Sequence, residues 1–264
     1  MPTVTLLAHT PDPEKIVAAA AKLCYSAAGI ADLMDGLTTE KTAAFLERLM
    51  ALGHHSPLEH AVFTFGIEGV SRALLCQITR HRIASFSVQS QRYVGLEDFG
   101  YVTPPSIAED PAARAAFEKS MEAASAAYNN LVDALYSQYN VGLGESADKL
   151  AAAKKQAIED ARFVLPNACE TKMILTMNAR ALRGFFAQRC CRRAQWEIRA
   201  LAEEMLRLCR GVSPPLFAGA GPACLSTPCP EGRMSCGMQP QIRAHYNKLM
   251  KGAPPPERTK TDIC

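Results

Sequence analysis

The run RHRIASFSVQSQRY, residues 80–93, organises this sequence because it places three arginines, one histidine and three serines within fourteen positions. No Asp or Glu lies between Glu68 and Glu97, so no acid close in sequence neutralises the charge. Arginine binds phosphate and carboxylate through paired hydrogen bonds, and serine hydroxyls and loop N–H groups complete such sites. The alternating apolar residues favour a half-buried segment over a solvated basic loop. We therefore predict a pocket for a phosphorylated ligand.

A second acid-free window runs from Thr171 to Trp196 and holds five arginines. A helix predicted over residues 178–192 places Leu182, Phe185, Arg189 and Arg193 within one narrow arc. A buried charge without a partner is costly, so these arginines either pair with distant acids or bind an anionic ligand. For Arg193, a guanidinium that reaches the solvent along the rim of the apolar face is an equal alternative.

Composition favours a soluble globular protein of one or two domains, with 264 residues, 48% hydrophobic and 21% charged. The net charge of +3 excludes a general polycation for nucleic acid or membrane surfaces. No apolar run reaches the roughly 18 residues of a membrane helix, and residues 1–10 lack the features of a secretion signal. We therefore expect a cytoplasmic protein, with no membrane or nucleic-acid partner, whose thiols are mostly reduced.

Hydrophobic periodicity and helix-start residues predict the fold class. The class is α/β, a mixed β-sheet with helices packed on it and two long scaffold helices that serve assembly. Strands are predicted at 3–9, 61–67, 86–94 and 170–177, and helices at 12–25, from 38, from 71, at 110–139, 146–163 and 178–192.

Histidines and cysteines suggest metal sites only weakly. The element GHHSPLEH, residues 53–60, lacks the i, i+4 histidine pair of a metal-binding helix, so we predict hydrogen-bonding histidines and no metal there. Cys224, Cys229 and Cys236 lie in a Gly- and Pro-rich segment without a CxxC pair. Zinc binding with His245 or Cys264, a redox pair and plain thiols all stay open for them.

Several enzyme classes are excluded by missing motifs. The chain has no GxGxxG after a strand and no phosphate-binding P-loop, so a nicotinamide-binding Rossmann domain is not indicated. It also lacks the GxSxG of serine hydrolases. The arginine windows fit either an enzyme with a nucleotide and a large cofactor, or a non-catalytic nucleotide- or RNA-binding protein.

Five motifs together resemble the flavin-dependent thymidylate synthases. These are RHR, then seven intervening residues, then Ser90 and QRY; the element GHHSPLEH; RFVLP at 162–166; NAR at 178–180 with Arg189; and QWE at 195–197. The resemblance covers roughly residues 50–210. It implies a thymidylate synthase-complementing fold, with a flavin- and nucleotide-binding catalytic domain at 1–210. Residues 211–264 would then be a Gly/Pro/Cys-rich C-terminal extension, partly disordered.

The same resemblance implies an FAD-dependent methyltransferase that converts dUMP to dTMP. Methylenetetrahydrofolate would donate the carbon, NADPH would reduce the flavin, and the chain would assemble as a homotetramer. Arg189 is the implied catalytic residue. The implied dUMP-binding residues are Gln77, Ile78, Thr79, Arg80, Val88, Gln89, Ser90, Gln91, Arg92, Arg162 and Arg189. The implied FAD-binding residues are His54, Ser56, Arg80, His81, Arg82, Val88, Asn178, Ala179, Arg180 and Gly184.

Two residues depart from the family pattern. Val88 stands where the family usually has Glu or Gln, and Gly184 where it usually has Asn or His. Both changes remove a side chain able to hydrogen-bond a ligand. They leave room for a related flavin-dependent pyrimidine-nucleotide hydroxymethylase as an alternative function.

Overall fold

The computed structural model describes residues 2–142, 146–225 and 227–251. Within them the strands are β1 (Thr3–His9), β2 (Val62–Ser71), β3 (Ser85–Val88) and β4 (Glu170–Asn178). The helices are α1 (Pro13–Leu23), α2 (Ile30–Asp35), α3 (Thr39–Ala51), α4 (Arg72–Ile78), α5 (Pro105–Ala108), α6 (Pro111–Tyr139), α7 (Ala147–Ala161), α8 (Ala179–Arg189), α9 (Trp196–Val212) and α10 (Gln239–Lys251). Short 3₁₀ turns lie at Ser56–His60, Arg162–Val164, Ala223–Leu225 and Gly232–Met234.

The strands form one sheet in the order β1-β2-β4-β3. In the first part of β2 burial alternates, with Phe63, Phe65 and Ile67 fully buried, as expected of a strand with one face on the core. The predicted α/β class is confirmed. The sheet, however, is antiparallel rather than mixed: the Thr10 N–H donates to the Val62 carbonyl, where β1 ends and β2 begins.

Of the described residues, those up to Ile67, Thr79–Phe86 and those from Ile174 onward make up a first compact unit. Glu68–Ile78 and Ser87–Met173 make up a second. The candidate residues are therefore divided between the two units, and each unit is described on its own below.

The second unit contains the two long helices that the sequence predicts. The Asp110 carboxylate caps α6 by accepting from the N–H groups of Ala112 and Ala113. Tyr128 of α6 is buried against Ile158 of α7, so the apolar stripes of both helices form one core cluster.

Local hydrogen bonds explain where the elements differ from prediction. Strand β3 ends at Val88 rather than near Val94, because Ser90 accepts the Arg92 N–H and its carbonyl accepts the Val94 N–H, which turns the chain. Helix α2 lies between the helices predicted at 12–25 and from 38, where the sequence predicts no element. Helix α10 was not predicted, because Ile242 and Tyr246 are its only buried apolar side chains among those described.

The division into domains at residue 210 stays a prediction. The partial disorder predicted within residues 211–264 also stays a prediction, because residues 226 and 252–264 lie outside the described part of the chain. No helix in the described part of the chain is long and apolar enough to cross a membrane.

Candidate functional site

A cavity of about 290 Å³ in the first unit, called the cationic cavity below, is lined by residues of both arginine windows. Arg80, His81 and Arg82 come from the segment between α4 and β3, and Arg189 comes from the last turn of α8. No Asp or Glu stands among the lining residues, so the cavity favours an anionic ligand. Its wall is completed by Ile83, Met177, Ala181, Gly184, Phe185 and Gln188.

Arg189 is held in a defined orientation. Its Nε donates a hydrogen bond of 3.0 Å to Nε2 of His81, and the centroids of the His81 and Phe185 rings lie 5.0 Å apart in a T-shaped arrangement. Burial, and then the nearby charge of Arg189, lower the pKa of His81. His81 is therefore neutral at pH 7, and the proton of its ring lies on Nδ1, because Nε2 accepts.

The Arg189 guanidinium stays charged. Burial lowers its pKa, and the neighbouring Arg80 lowers it further, but an arginine starts from a value far above neutrality. Two like charges held near each other are most stable when an anion lies between them. The pair therefore predicts an anionic ligand in this cavity.

The N-terminal end of α8 places three further candidates. Asn178 caps the helix by accepting the Ala181 N–H at 2.8 Å. Ala179 is fully buried, and its own N–H donates to the Ala61 carbonyl. Arg180 forms an ion pair of 2.5 Å with Glu59.

His54 and Ser56, also in the first unit, lie away from this cavity wall. The His54 side chain lines a separate cavity of about 540 Å³ with Leu49 and Leu52. Ser56 is exposed at the start of its 3₁₀ turn. Thr79 is exposed at the end of α4.

The other candidate nucleotide-binding residues lie in the second unit, and two of them contact Glu159. The Arg92 guanidinium pairs with the Glu159 carboxylate at 2.7 Å, and Arg162 Nε donates to the Glu159 carbonyl at 3.1 Å. Both arginines are half-buried, which leaves part of each guanidinium accessible to a ligand.

The remaining nucleotide candidates of the second unit differ in exposure. Ile78 is fully buried, so only its backbone is available to a ligand. Gln77 and Val88 are half-buried, Val88 as the last residue of β3. The Gln89 N–H donates to the Lys172 carbonyl, and the Gln91 side chain donates to Cys169 Sγ at 3.8 Å.

Sequence reasoning missed both acids that pair with the candidate arginines. Glu59 lies 121 residues from Arg180, and Glu159 is distant from Arg92 in the chain, so only the fold brings them together. It also missed Gln188, which lines the cationic cavity one helical turn from Gly184. The i, i+4 spacing of these two residues was the signal that could have identified it.

Residues 5–215 match the family described as thymidylate synthase complementing protein. The chain is 52% identical to the flavin-dependent thymidylate synthase of Clostridium tetani, over 92% of this chain and 96% of that protein. It is 52% identical to the enzyme of the same name from Geobacter sulfurreducens, over 93% and 98%. The Pyrococcus furiosus protein of that name is 36% identical, over 94% and 98%. With a match across most of its length, the chain belongs to the thymidylate synthase complementing protein family.

Proposed function

We propose that this chain is a flavin-dependent thymidylate synthase that methylates dUMP to dTMP. The carbon donor is methylenetetrahydrofolate, and NADPH reduces the FAD. The observation that carries the proposal is the cationic cavity in which neutral His81 orients Arg189. It is supported by the family to which the chain belongs and by the names of its relatives.

The chemistry of the cavity fits a flavin. Arg80, Arg82 and Arg189 complement a diphosphate or the negative charge of a reduced flavin ring. A Cβ added at Gly184 would meet no atom within 4 Å, so the wall is open at this position. When bound, the flavin supplies the hydride, while the protein binds and orients the reactants.

Arg189 is the residue we propose to act on the pyrimidine. Carbon C5 of uracil is a weak nucleophile and becomes more reactive when negative charge on the ring is stabilised. A planar guanidinium beside the ring oxygens and N3 provides that stabilisation. The hydrogen bond from Nε to His81 fixes the plane of the guanidinium before substrate arrives, which lowers the cost of reorganisation.

Ser90, Arg92 and Arg162 are proposed to bind the nucleotide. Each arginine is anchored at Glu159, so its position is set before the phosphate binds. The Ser90 hydroxyl accepts the Arg92 N–H and shapes the turn after β3. We assign Ser90 to binding rather than to nucleophilic attack.

Anaerobic turnover tests the proposal. The full chain is incubated with FAD, NADPH, methylenetetrahydrofolate and dUMP, and products are separated and identified by mass. We expect dTMP, and loss of dTMP when any one component is omitted. Hydroxymethylated dUMP as the main product would support the hydroxymethylase instead. Nucleotide binding without any product would support a non-catalytic binding protein.

Cytoplasmic location and a homotetramer complete the proposal. The substrates of nucleotide synthesis are cytoplasmic, which supports the first. The large apolar side chains exposed on the single chain support the second, because such surfaces mark interfaces.

A further inference from the structure

Four cysteines line a third cavity of the first unit, with a volume of about 410 Å³. Cys191 follows the C-terminal end of α8, and Cys224, Cys229 and Cys236 lie in the irregular segment between α9 and α10. All four thiols are free. The proposed methyl transfer uses none of them.

The four cysteines come from two separate parts of the chain and line one cavity. Four cysteine thiolates are the ligand set of the common iron–sulfur clusters. Their grouping around one cavity favours a metal ligand over isolated core thiols.

Side chains of α10 hold the backbone of this segment in place. Gln239 Nε2 donates to the carbonyls of Cys224 and Thr227, at 2.8 and 2.9 Å. Arg243 Nε donates to the Cys224 carbonyl at 3.1 Å. These side-chain donors satisfy backbone carbonyls that have no partner in a strand or helix. The position of Cys224 is therefore set by the fold.

Arg193 fixes the other half of the segment. Its guanidinium donates to the Met234 carbonyl and lies 3.7 Å from the Glu231 carboxylate. Both partners lie between Cys229 and Cys236 in sequence. Arg193 also lines the cavity, where its charge stabilises an anionic ligand.

The four cysteines surround a cavity, and this arrangement bears on whether one metal ion or a cluster would bind there. A zinc ion requires four sulfur atoms about 2.3 Å from one point. In the part of the chain that the structure describes, no three His, Cys, Asp or Glu side chains converge closely enough to hold one ion. An iron–sulfur cluster spreads its thiolate ligands over several iron atoms, so its cysteines surround a space rather than a point.

We propose that Cys191, Cys224, Cys229 and Cys236 bind an iron–sulfur cluster in this cavity. Each cysteine supplies one thiolate and loses its proton on binding, while ferric and ferrous iron together with sulfide supply the core, so the assembly needs no further oxidant. The Arg193 guanidinium offsets the negative charge that such a cluster carries with four thiolates.

Iron and acid-labile sulfide, measured on the full chain purified without oxygen, test this proposal. We expect about two or about four iron atoms per chain with matching sulfide, as purified or after reconstitution with ferric iron, ferrous iron and sulfide. Electron paramagnetic resonance of the reduced protein should show a cluster signal. The iron and sulfide assays do not respond to flavin and need no turnover, so failure here is distinguishable from failure of the proposed function.

Single substitutions identify the ligands. Cys229→Ser and Cys236→Ser should each lose most of the bound iron, because each variant lacks one thiolate ligand. Both variants should stay folded, because the Cys229 side chain is partly exposed and the Cys236 side chain is exposed. Cys24→Ser is the matched control, since Cys24 is an exposed free thiol after α1, outside the cavity. The circular dichroism of all three variants should equal that of the parent chain.

Three outcomes would overturn the assignment. The first is absence of iron after anaerobic reconstitution. The second is one zinc per chain without sulfide, which would mean a mononuclear site. The third is equal iron in Cys229→Ser, Cys236→Ser and Cys24→Ser, which would remove these cysteines as ligands.

Discussion

At the scale of single residues, Arg189 carries most of the proposed chemistry, and its geometry is the part that lysine cannot reproduce. Arg189→Lys keeps the positive charge but loses the planar group and the Nε bond to His81. Hydrogen bonds to charged groups contribute about 1.5–3 kcal/mol, so we expect kcat for dTMP formation to fall roughly ten- to a hundredfold. Steady-state turnover at saturating dUMP measures this loss.

Arg192→Lys is the control for that substitution. Arg192 lies three residues beyond Arg189, and its side chain is exposed and does not line the cationic cavity. Its variant should turn over like the parent chain. If Arg189→Lys also turned over at the parental rate, Arg189 would have no role in stabilising charge on the pyrimidine.

His81 makes stability depend on pH. Its pKa is lowered by burial and then by Arg189, from about 6.5 in the unfolded chain. The unfolded chain therefore binds the proton more readily. The stabilising contribution of neutral His81 is complete above about pH 6.5 and is lost as the pH falls through the folded-state pKa.

His81→Gln removes this titration while keeping an amide oxygen that can accept a hydrogen bond. We expect a flatter dependence of the free energy of unfolding on pH between about pH 7 and 5, by up to one proton. Denaturant titrations across this range measure the slope. The slope that remains belongs partly to His55, whose pKa is lowered by burial and by Arg183 and Arg180. A slope equal to that of the parent chain would contradict the prediction.

At the scale of elements, helix α8 contains a residue that lowers the stability of the helix in which it lies. Gly184 lies inside the helix, and a Cβ added there would meet nothing within 4 Å. Glycine costs roughly 0.5–1 kcal/mol relative to alanine inside a helix. Gly184→Ala should therefore raise the free energy of unfolding of the flavin-free protein by about that amount, as measured by urea denaturation.

Ala187→Gly is the matched substitution in the reverse direction, within the same helix. It should lower the free energy of unfolding by a similar amount. A destabilised Gly184→Ala variant would mean that the open space beside Gly184 is needed by the folded chain. In that case glycine is retained there for packing rather than for ligand access.

Elements with strong local signals were predictable from the sequence. Strand β1 alternates between flanking prolines, and α6 starts with Asp110 and Pro111, which together cap and fix its first turn. Strand β3 was predicted too long because the bond from the Arg92 N–H to Ser90, which turns the chain, competes with strand pairing. Helix α10 shows too few apolar residues for periodicity to identify it.

The residue types of the candidate site were predictable from the sequence, but the contacts between its side chains were not. Two acid-free windows indicated an anion site, and both contribute arginines to the cavity of the first unit. Sequence could not show that Arg189 bonds to His81, which lies 108 residues away, because that contact depends on how α8 packs. It also grouped candidates that the structure distributes between two units.

At the scale of the whole molecule, large apolar side chains remain exposed on the single chain. Phe163 is 83% exposed and Tyr25 85%, far more than a buried core would leave. Burying a phenylalanine side chain contributes about 1.5–3 kcal/mol. An assembly that covers such residues gains this energy at every copy of the interface, which is why we propose a homotetramer.

Phe163→Ser tests whether this surface holds the assembly together. Phe163 follows Arg162 in the 3₁₀ turn after α7, and its exposure means that the isolated chain loses little by the change. We expect the parent chain to have about four times the mass of one 28.6 kDa chain by light scattering. The variant should dissociate to smaller species on dilution.

Asn167→Ser, an exposed polar change in the same loop, should leave the mass unaltered. Equal masses for both variants at every concentration would place Phe163 outside the interface, and a monomeric parent chain would refute the tetramer itself.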